Sequence, residues 1–271
     1  MKTKRILALT LALVLTALLS STALAVTYPA LNNTTPETAI EIQRNAVTPE
    51  SKVNANTSRE HFATGDIEPG DEFWFKVYLL PSMDSVLSVN ADCVRIAVYD
   101  PSMELIFDEL VMKDYEEGLR AYDIPVDEAG MYYVKVYGSL ISYSFRFSLG
   151  NPNYNLDNVT VEGDRLTLSS GVTSDDGAVN FAGVDVPDNA FVYQVIVNGT
   201  RSARPQYETR SVSHGAGFRQ TNSSFLVTYS PLIDIDNTWM IRWSGTARTA
   251  MTFDPEVTFY YAYEIPLTQW D

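Results

Sequence analysis

Cysteine is nearly missing from this chain. Cys93 is the only one, so no intramolecular disulfide can form. Histidine is almost as scarce, with His61 and His214 alone. Neither G-x-S-x-G nor H-E-x-x-H occurs, so the usual serine-hydrolase and zinc-peptidase arrangements lack their residues. Basic charge is also short: 19 Lys and Arg face 34 Asp and Glu, a formal net charge of −15. That balance argues against nucleic-acid binding, because neutralising phosphates takes a basic surface. Past Leu19 no apolar run approaches the ~20 residues that span a bilayer.

What is present first is a leader. Lys2, Lys4 and Arg5 precede an apolar run from Ile6 to Leu19, and Ala23-Leu24-Ala25 places small residues where a signal peptidase reads them. Residues 1–25 are therefore expected to be a secretory signal peptide, cleaved before Val26. No cysteine follows the run to accept a lipid, and Ile265 to Asp271 has neither the hydrophobic tail nor the basic cluster of a wall-sorting signal. The expectation is a protein released outside the cytoplasm, or held at the surface non-covalently, with no membrane insertion after cleavage. Losing Lys2, Lys4 and Arg5 leaves 16 basic residues against 34 acidic ones, a formal −18. A secreted chain without disulfides suggests bacterial export, with packing or metal ions stabilising the fold. Cys93, beside the alternating Val94, Ile96 and Val98, is expected as a buried, inert thiol.

The mature chain reads as strand after strand. Phe73, Phe75 and Val77 alternate with Trp74, Lys76 and Tyr78; Val94, Ile96 and Val98 with Arg95, Ala97 and Tyr99; and Tyr143, Phe145, Phe147 and Leu149 with Ser144, Arg146 and Ser148. Period-two alternation in aromatic and β-branched residues predicts half-buried strands. Glu68-Pro69-Gly70-Asp71, Asp100-Pro101-Ser102 and Asp127-Glu128-Ala129-Gly130 read as turns between them. Helical periodicity is confined to one short turn in Pro36 to Arg44. The fold class expected is all-β, with two antiparallel, jelly-roll-like β-sandwich domains. A polar stretch, Asn151 to Asn158, reads as a solvated linker, and after it the chain carries seven Arg and no Lys. The domains expected are 26–150 and 151–271.

Across residues 35–149 several motifs fall in a characteristic order. They are Thr35-Pro36-Glu37-Thr38-Ala39, Gly65-Asp66-Ile67, Asp71-Glu72-Phe73-Trp74-Phe75-Lys76-Val77, and Ile96-Ala97-Val98-Tyr99-Asp100. Ala129-Gly130-Met131-Tyr132-Tyr133-Val134-Lys135-Val136-Tyr137-Gly138 follows, then Tyr143-Ser144-Phe145-Arg146-Phe147. This order resembles the bacterial pre-peptidase C-terminal domain, a β-sandwich appended to secreted peptidases and related to the collagen-binding modules of clostridial collagenases. The resemblance does not reach residues 151–271. It implies a Ca²⁺ site built from linker Asn and acidic residues plus Asp residues ahead of the core strand. Asp71 and Asn32-Asn33 stand at matching places, whereas Ala30 and Leu31 stand where an acidic residue is expected. The competing reading is that Asn32, Asn33 and Asp71 cap turns.

The second half carries a basic exception in an acidic protein. Arg201, Arg204, Tyr207 and Arg210 precede His214, Phe218 and Arg219 within about twenty residues. The planar guanidinium fork suits carboxylate or sulfate, and an aromatic face suits a sugar. The segment is either a ligand-binding loop at one end of the second sandwich or an exposed hairpin whose arginines pair with nearby carboxylates. Trp239, Trp243, Trp270, Phe259, Tyr260, Tyr261 and Tyr263 are either an exposed sugar platform or strand residues of the core. Asp175-Asp176 and Asp234/Asp236 read as turn carboxylates.

The leading expectation is a secreted, non-catalytic binding or accessory protein that adheres to an extracellular polymer, either polysaccharide, cell wall or fibrous protein. Arg201, Arg204, Tyr207 and Arg210 are its candidate ligand residues, and Asn32, Asn33 and Asp71 its candidate Ca²⁺ ligands. A carboxylate-based glycan hydrolase and a structural subunit of the cell envelope are the alternatives.

Overall fold

A computed structural model describes residues 25–54, 60–113, 118–138 and 143–269. The leader up to residue 24 and Trp270 lie outside the described residues. The chain is all-β and divides into two compact units: one reaches Asn153 and takes back the segment from Ile265 onward, and the other is Tyr154–Glu264.

In the first unit the chain passes repeatedly between two five-stranded sheets. One sheet has the order β1 (Val26–Pro29), β3 (His61–Ile67), β10 (Tyr143–Gly150), β5 (Val86–Ala91), β8 (Arg120–Asp123). The other has the order β2 (Ile40–Glu41), β4 (Glu72–Leu79), β9 (Gly130–Gly138), β6 (Val94–Tyr99), β7 (Leu105–Val111). Pairing is antiparallel except at one edge of each sheet, where β1 lies parallel to β3 and β2 parallel to β4. The alternation read from sequence marks the inner faces. Phe75, Val77, Val94, Ile96, Val98, Phe145, Phe147 and Leu149 from both sheets share one buried cluster, which makes the unit a sandwich. Between β3 and β4, Pro69 and Gly70 occupy the central positions of a turn closed by Asp71 N–H donating to Glu68 O at 3.0 Å. Gly70 sits at φ +90°, where a side chain would be strained.

The helical content is slight. Pro36–Thr38 forms one 3₁₀ turn, and α1 is Pro49–Val53. Reciprocal bonds start α1: Ser51 N–H donates to Thr48 Oγ1, and Thr48 N–H to Ser51 Oγ.

The second unit repeats the design. One sheet runs β11 (Tyr154–Glu162), β19 (Met251–Glu264), β14 (Phe191–Arg201), β17 (Leu226–Asp234), with β12 (Leu166–Leu168) also on β19. The other runs β13 (Ser174–Ala178), β18 (Met240–Thr246), β15 (Gln206–Ser213), β16 (Arg219–Gln220). Val195, Val197, Phe253, Phe259, Ile241 and Trp243 bury together between them.

Four expectations change here. The stretch expected as a solvated linker is strand: β11 pairs with β19 from Tyr154↔Glu264 to Glu162↔Glu256. As an edge strand largely open to solvent it tolerates Asn155, Asp157 and Asn158, so its polarity resembles that of a loop. Just ahead of it, Asn153 is buried and donates to Ser148 Oγ, while Asn151 donates to Val47 O. The last residues also do not belong to the second unit. Ile265 packs with Val86 and Ala121, and Leu267 bridges to Ala121. Cys93, expected buried, is half-buried at φ +57° in the turn between β5 and β6. Asp175 and Asp176 lie in β13, where Asp176 faces Arg242 across the β13–β18 pair.

Candidate functional site

The arginine-rich segment is the β14–β15 hairpin. Arg201 closes β14, residues 202–205 turn the chain, and β15 carries the rest. Against β18, Gln206 faces Thr246 but Thr209 faces Ser244, so β15 holds one extra residue there. Such a bulge re-aims side chains. Tyr207 takes the left-handed conformation, φ +57°, and is 80% exposed, the largest exposure among the described large hydrophobic residues. A bulky side chain rarely adopts that conformation, since its Cβ crowds the following carbonyl.

Glu208 does the opposite. Its side chain has no exposed surface and gathers the three arginines. Oε1 lies 3.3 Å from Arg201 Nη1 and 3.2 Å from Arg210 Nη2, and accepts from Trp243 Nε1 at 3.1 Å. Oε2 has Arg204 Nε at 3.3 Å but accepts no well-directed hydrogen bond. Arg210 is itself buried; its Nη1 donates to Val197 O at 2.7 Å. Its guanidinium carbon lies 3.8 Å from the Phe225 ring centroid and 4.5 Å from that of Phe253. Burial pushes the Arg210 guanidinium below its ordinary value, and Glu208 opposes that shift. Phe225 also sits at positive φ, +58°, held where Val197 N–H donates to its carbonyl.

Of the four candidate ligand residues, Arg201, Arg204 and Arg210 converge on Glu208 while Tyr207 projects away. Arg210 is enclosed and internally satisfied, which suits it to hold Glu208 and not to meet a ligand. Arg204, with its side chain 70% exposed, and Tyr207 remain open to solvent. Sequence reasoning missed Glu208 as the organiser. Its signal was parity: Glu208, Arg210 and Val212 share one face of β15, and Val212 is plainly core. A cleft of about 420 Å³ lies here, with Arg204, Glu208, Thr209, Gln220, Asn222 and Ser223 in its wall.

The candidate Ca²⁺ ligands are placed differently. Asn33 is fully buried; its Oδ1 accepts from Leu31 N–H and its Nδ2 donates to Trp74 O at 2.7 Å, tying the N-terminal segment to β4. Asn32 is exposed at φ +56°. Asp71 accepts from Glu68 N–H across its turn and lines a cleft with Asp66, Glu68 and Tyr143, a wall that includes neither asparagine. Among the described residues no group of three or more His, Cys, Asp or Glu is placed to hold a metal ion.

The remaining motifs are structural. Trp239 and Trp243 are buried, as are Phe259 and Tyr261, so these aromatics fill the core. His214 packs by the Tyr229 and Trp239 rings. Asp176 takes both arms of Arg242, at 2.6 and 2.7 Å. Asp234 Oδ1 accepts from Asp236 N–H in a turn. Among the described residues no helix is long and apolar enough to cross a membrane.

No protein-family model matches the chain, and no curated protein is similar to it. Among solved structures, it is similar to a presumptive secreted protein from Eubacterium rectale, at 10% identity and a TM-score of 0.60, covering 92% of this chain and 90% of that one. A triple jelly-roll protein of an archaeal virus overlaps far more loosely, at 12% identity, a TM-score of 0.25, and 74% and 59% coverage. The Eubacterium rectale likeness runs through both units, and at that identity what it shows is a shared all-β fold.

Proposed function

We propose that the protein is a secreted, non-catalytic binding protein that adheres to an extracellular polymer through the β14–β15 end of its second unit. The leader and the lack of hydrolase motifs support this reading. So does the resemblance of residues 35–149 to pre-peptidase C-terminal domains, which accompany secreted enzymes as accessory modules. The observation that carries it is Tyr207, a large aromatic at φ +57° and 80% exposed. Left-handed backbone at a bulky residue costs about 1–2 kcal/mol. Tyr78, at 53%, is the other exposed ring among the described large hydrophobic residues, and Tyr207 alone of the two is held in left-handed backbone at that cost, which is the mark of a ring kept on offer. The Glu208 cluster fixes the backbone one residue away and so presents the ring on a rigid base.

The test is co-sedimentation of residues 26–271 with peptidoglycan, cellulose, chitin and collagen. Saturable retention on one polymer is expected, reduced by Tyr207→Ala. Retention on none of them overturns adhesion. Parallel runs with Ca²⁺ and with chelator address a cation at Asp71: retention or thermal stability that falls with chelator supports one, and indifference removes it.

A further inference from the structure

The electrostatics around this end of the second unit run against those of the whole molecule. The cleft at Arg204 adjoins a second, of about 650 Å³, and the two share Gln220, Thr221 and Asn222 as a common wall. The second cleft is lined further by Arg219, Leu226 and Thr228. Glu208 is the one acidic side chain in either wall, fully buried and already held by three arginines. Three arginines in these walls, Arg204, Arg210 and Arg219, therefore meet one carboxylate, in a chain where acidic residues outnumber basic ones 34 to 19.

These arginines also differ from others of the same unit. Arg165 and Arg242 each close a two-armed pair with an aspartate, Asp254 and Asp176. Arg219 is exposed; its described partners are the Thr228 carbonyl, a long 3.5 Å from Nη1, and the Tyr229 ring at 5.4 Å. Arg204 reaches Glu208 with its Nε at 3.3 Å while its side chain stays 70% exposed. Between the two cations the wall is neutral and hydrogen-bonding. Gln220 is exposed, and the Asn222 Oδ1 is occupied by the Ser224 and Leu226 N–H groups, so Asn222 presents its amide nitrogen as a donor.

Resting on the adhesion reading above, we infer that the polymer is an anionic polysaccharide, bearing carboxylate or sulfate groups, bound along a track from Arg204 past Gln220 and Asn222 to Arg219. Two separated guanidinium groups match charges that recur along a chain, and the neutral donors between them match hydroxyls. Recurring hydroxyls beside the charges distinguish a polysaccharide from an acidic peptide, whose acidic side chains carry none for those donors to meet. The protein's overall negative charge repels polyanions, so this local inversion of sign gives selectivity for a spaced, partly neutral chain over a dense polyanion.

The experiment measures binding of residues 26–271 to four soluble probes: dextran, carboxymethyl dextran, dextran sulfate and polyglutamate. Expected are saturable binding to a charged dextran that weakens as salt rises, and no binding to plain dextran. The two charged dextrans separate carboxylate from sulfate recognition. Arg204→Ala and Arg219→Ala should each weaken binding about five- to tenfold, with thermal unfolding little changed because both side chains are exposed. Equal binding to plain dextran overturns the anionic assignment and leaves adhesion standing. Binding to polyglutamate as tight as to the charged dextrans replaces the polysaccharide with an acidic peptide. Charged-dextran binding unaffected by either arginine variant removes the track. If the charged dextrans fail while an insoluble neutral polymer retains the protein, this inference alone falls; if every polymer fails, the adhesion reading falls with it.

Discussion

Arg210 and Glu208 form an ion pair at 3.2 Å in which the two side chains are 3% and 0% exposed. Two residues apart on one strand, they point into the sandwich together, and the Phe225 and Phe253 rings enclose the guanidinium. Removing one member of such a pair leaves an uncompensated charge in low dielectric, at about 3–5 kcal/mol. Glu208→Ala should therefore lower unfolding stability by about that much in urea titrations. Arg204→Ala should cost under about 1 kcal/mol, because its partner is already held by others and it is itself screened by water. Equal losses for the two variants would mean that the cluster is held from the outside, not by the buried pair.

Tyr207 carries the opposite expectation. Glycine adopts left-handed backbone without steric cost. Tyr207→Gly should raise stability by up to about 1 kcal/mol, the relief of strain being offset in part by glycine's greater freedom in the unfolded chain. The same variant should lose polymer retention. Gain of stability with loss of binding is the signature of a residue kept for function. A destabilised Tyr207→Gly variant would make the ring a structural element instead.

The chain's alternating segments were readable because each names its own inner face: Phe75 and Val77, Ile96 and Val98, Phe145 and Phe147 all reach the core as their spacing predicts. What escaped depends on partners distant in sequence. β11 looks like a loop until β19, about a hundred residues on, pairs with it. Glu208 looks like one more surface acid among many, although its parity with Val212 points inward, because the Trp243 indole that meets it there lies on β18, 35 residues on. The arginines were visible as a cluster, but which of them is enclosed depends on partners elsewhere in the chain, Val197, Phe225 and Phe253 around Arg210.

Acid sensitivity should begin at the N-terminal strand. Partial burial holds the His61 imidazole below its ordinary value of 6.5, and its Nδ1 lies 3.3 Å from the Tyr28 hydroxyl on β1. Because the folded value is the lower one, the unfolded chain binds more protons in the window between them. Stability from this group is therefore fully present above pH 6.5 and is lost as pH falls from there through the folded value. The expected outcome is lower amide protection, relative to the intrinsic exchange rate at each pH, at Thr27 and Tyr28 as pH drops below 6.5, with the dependence flattened in His61→Gln. The aspartates held low by arginine, Asp108 by Arg95 and Asp176 by Arg242, act with the same sign but in a separate, more acidic window below their ordinary 3.8. A break near pH 4 with none near 6 would assign the effect to them.

The chain's last residues should stabilise its first unit. Ile265 is 3% exposed against Val86 and Ala121, and Thr268 N–H donates to Ala121 O. Ala121 lies on β8, the outermost strand of its sheet, so the returning segment covers an edge otherwise open to water and to other chains. Burying an isoleucine side chain is worth about 1.5–3 kcal/mol. Truncation after Glu264 should thus reduce amide protection in β5 and β8, at Val86–Ala91 and Arg120–Asp123, and leave β14 and β19 in the second unit protected as before. Ile265→Ala should reproduce part of the loss without exposing the edge, and self-association of the truncated chain but not of Ile265→Ala would separate edge covering from core packing. Loss of protection in β19 alone would place the segment's contribution in the second unit.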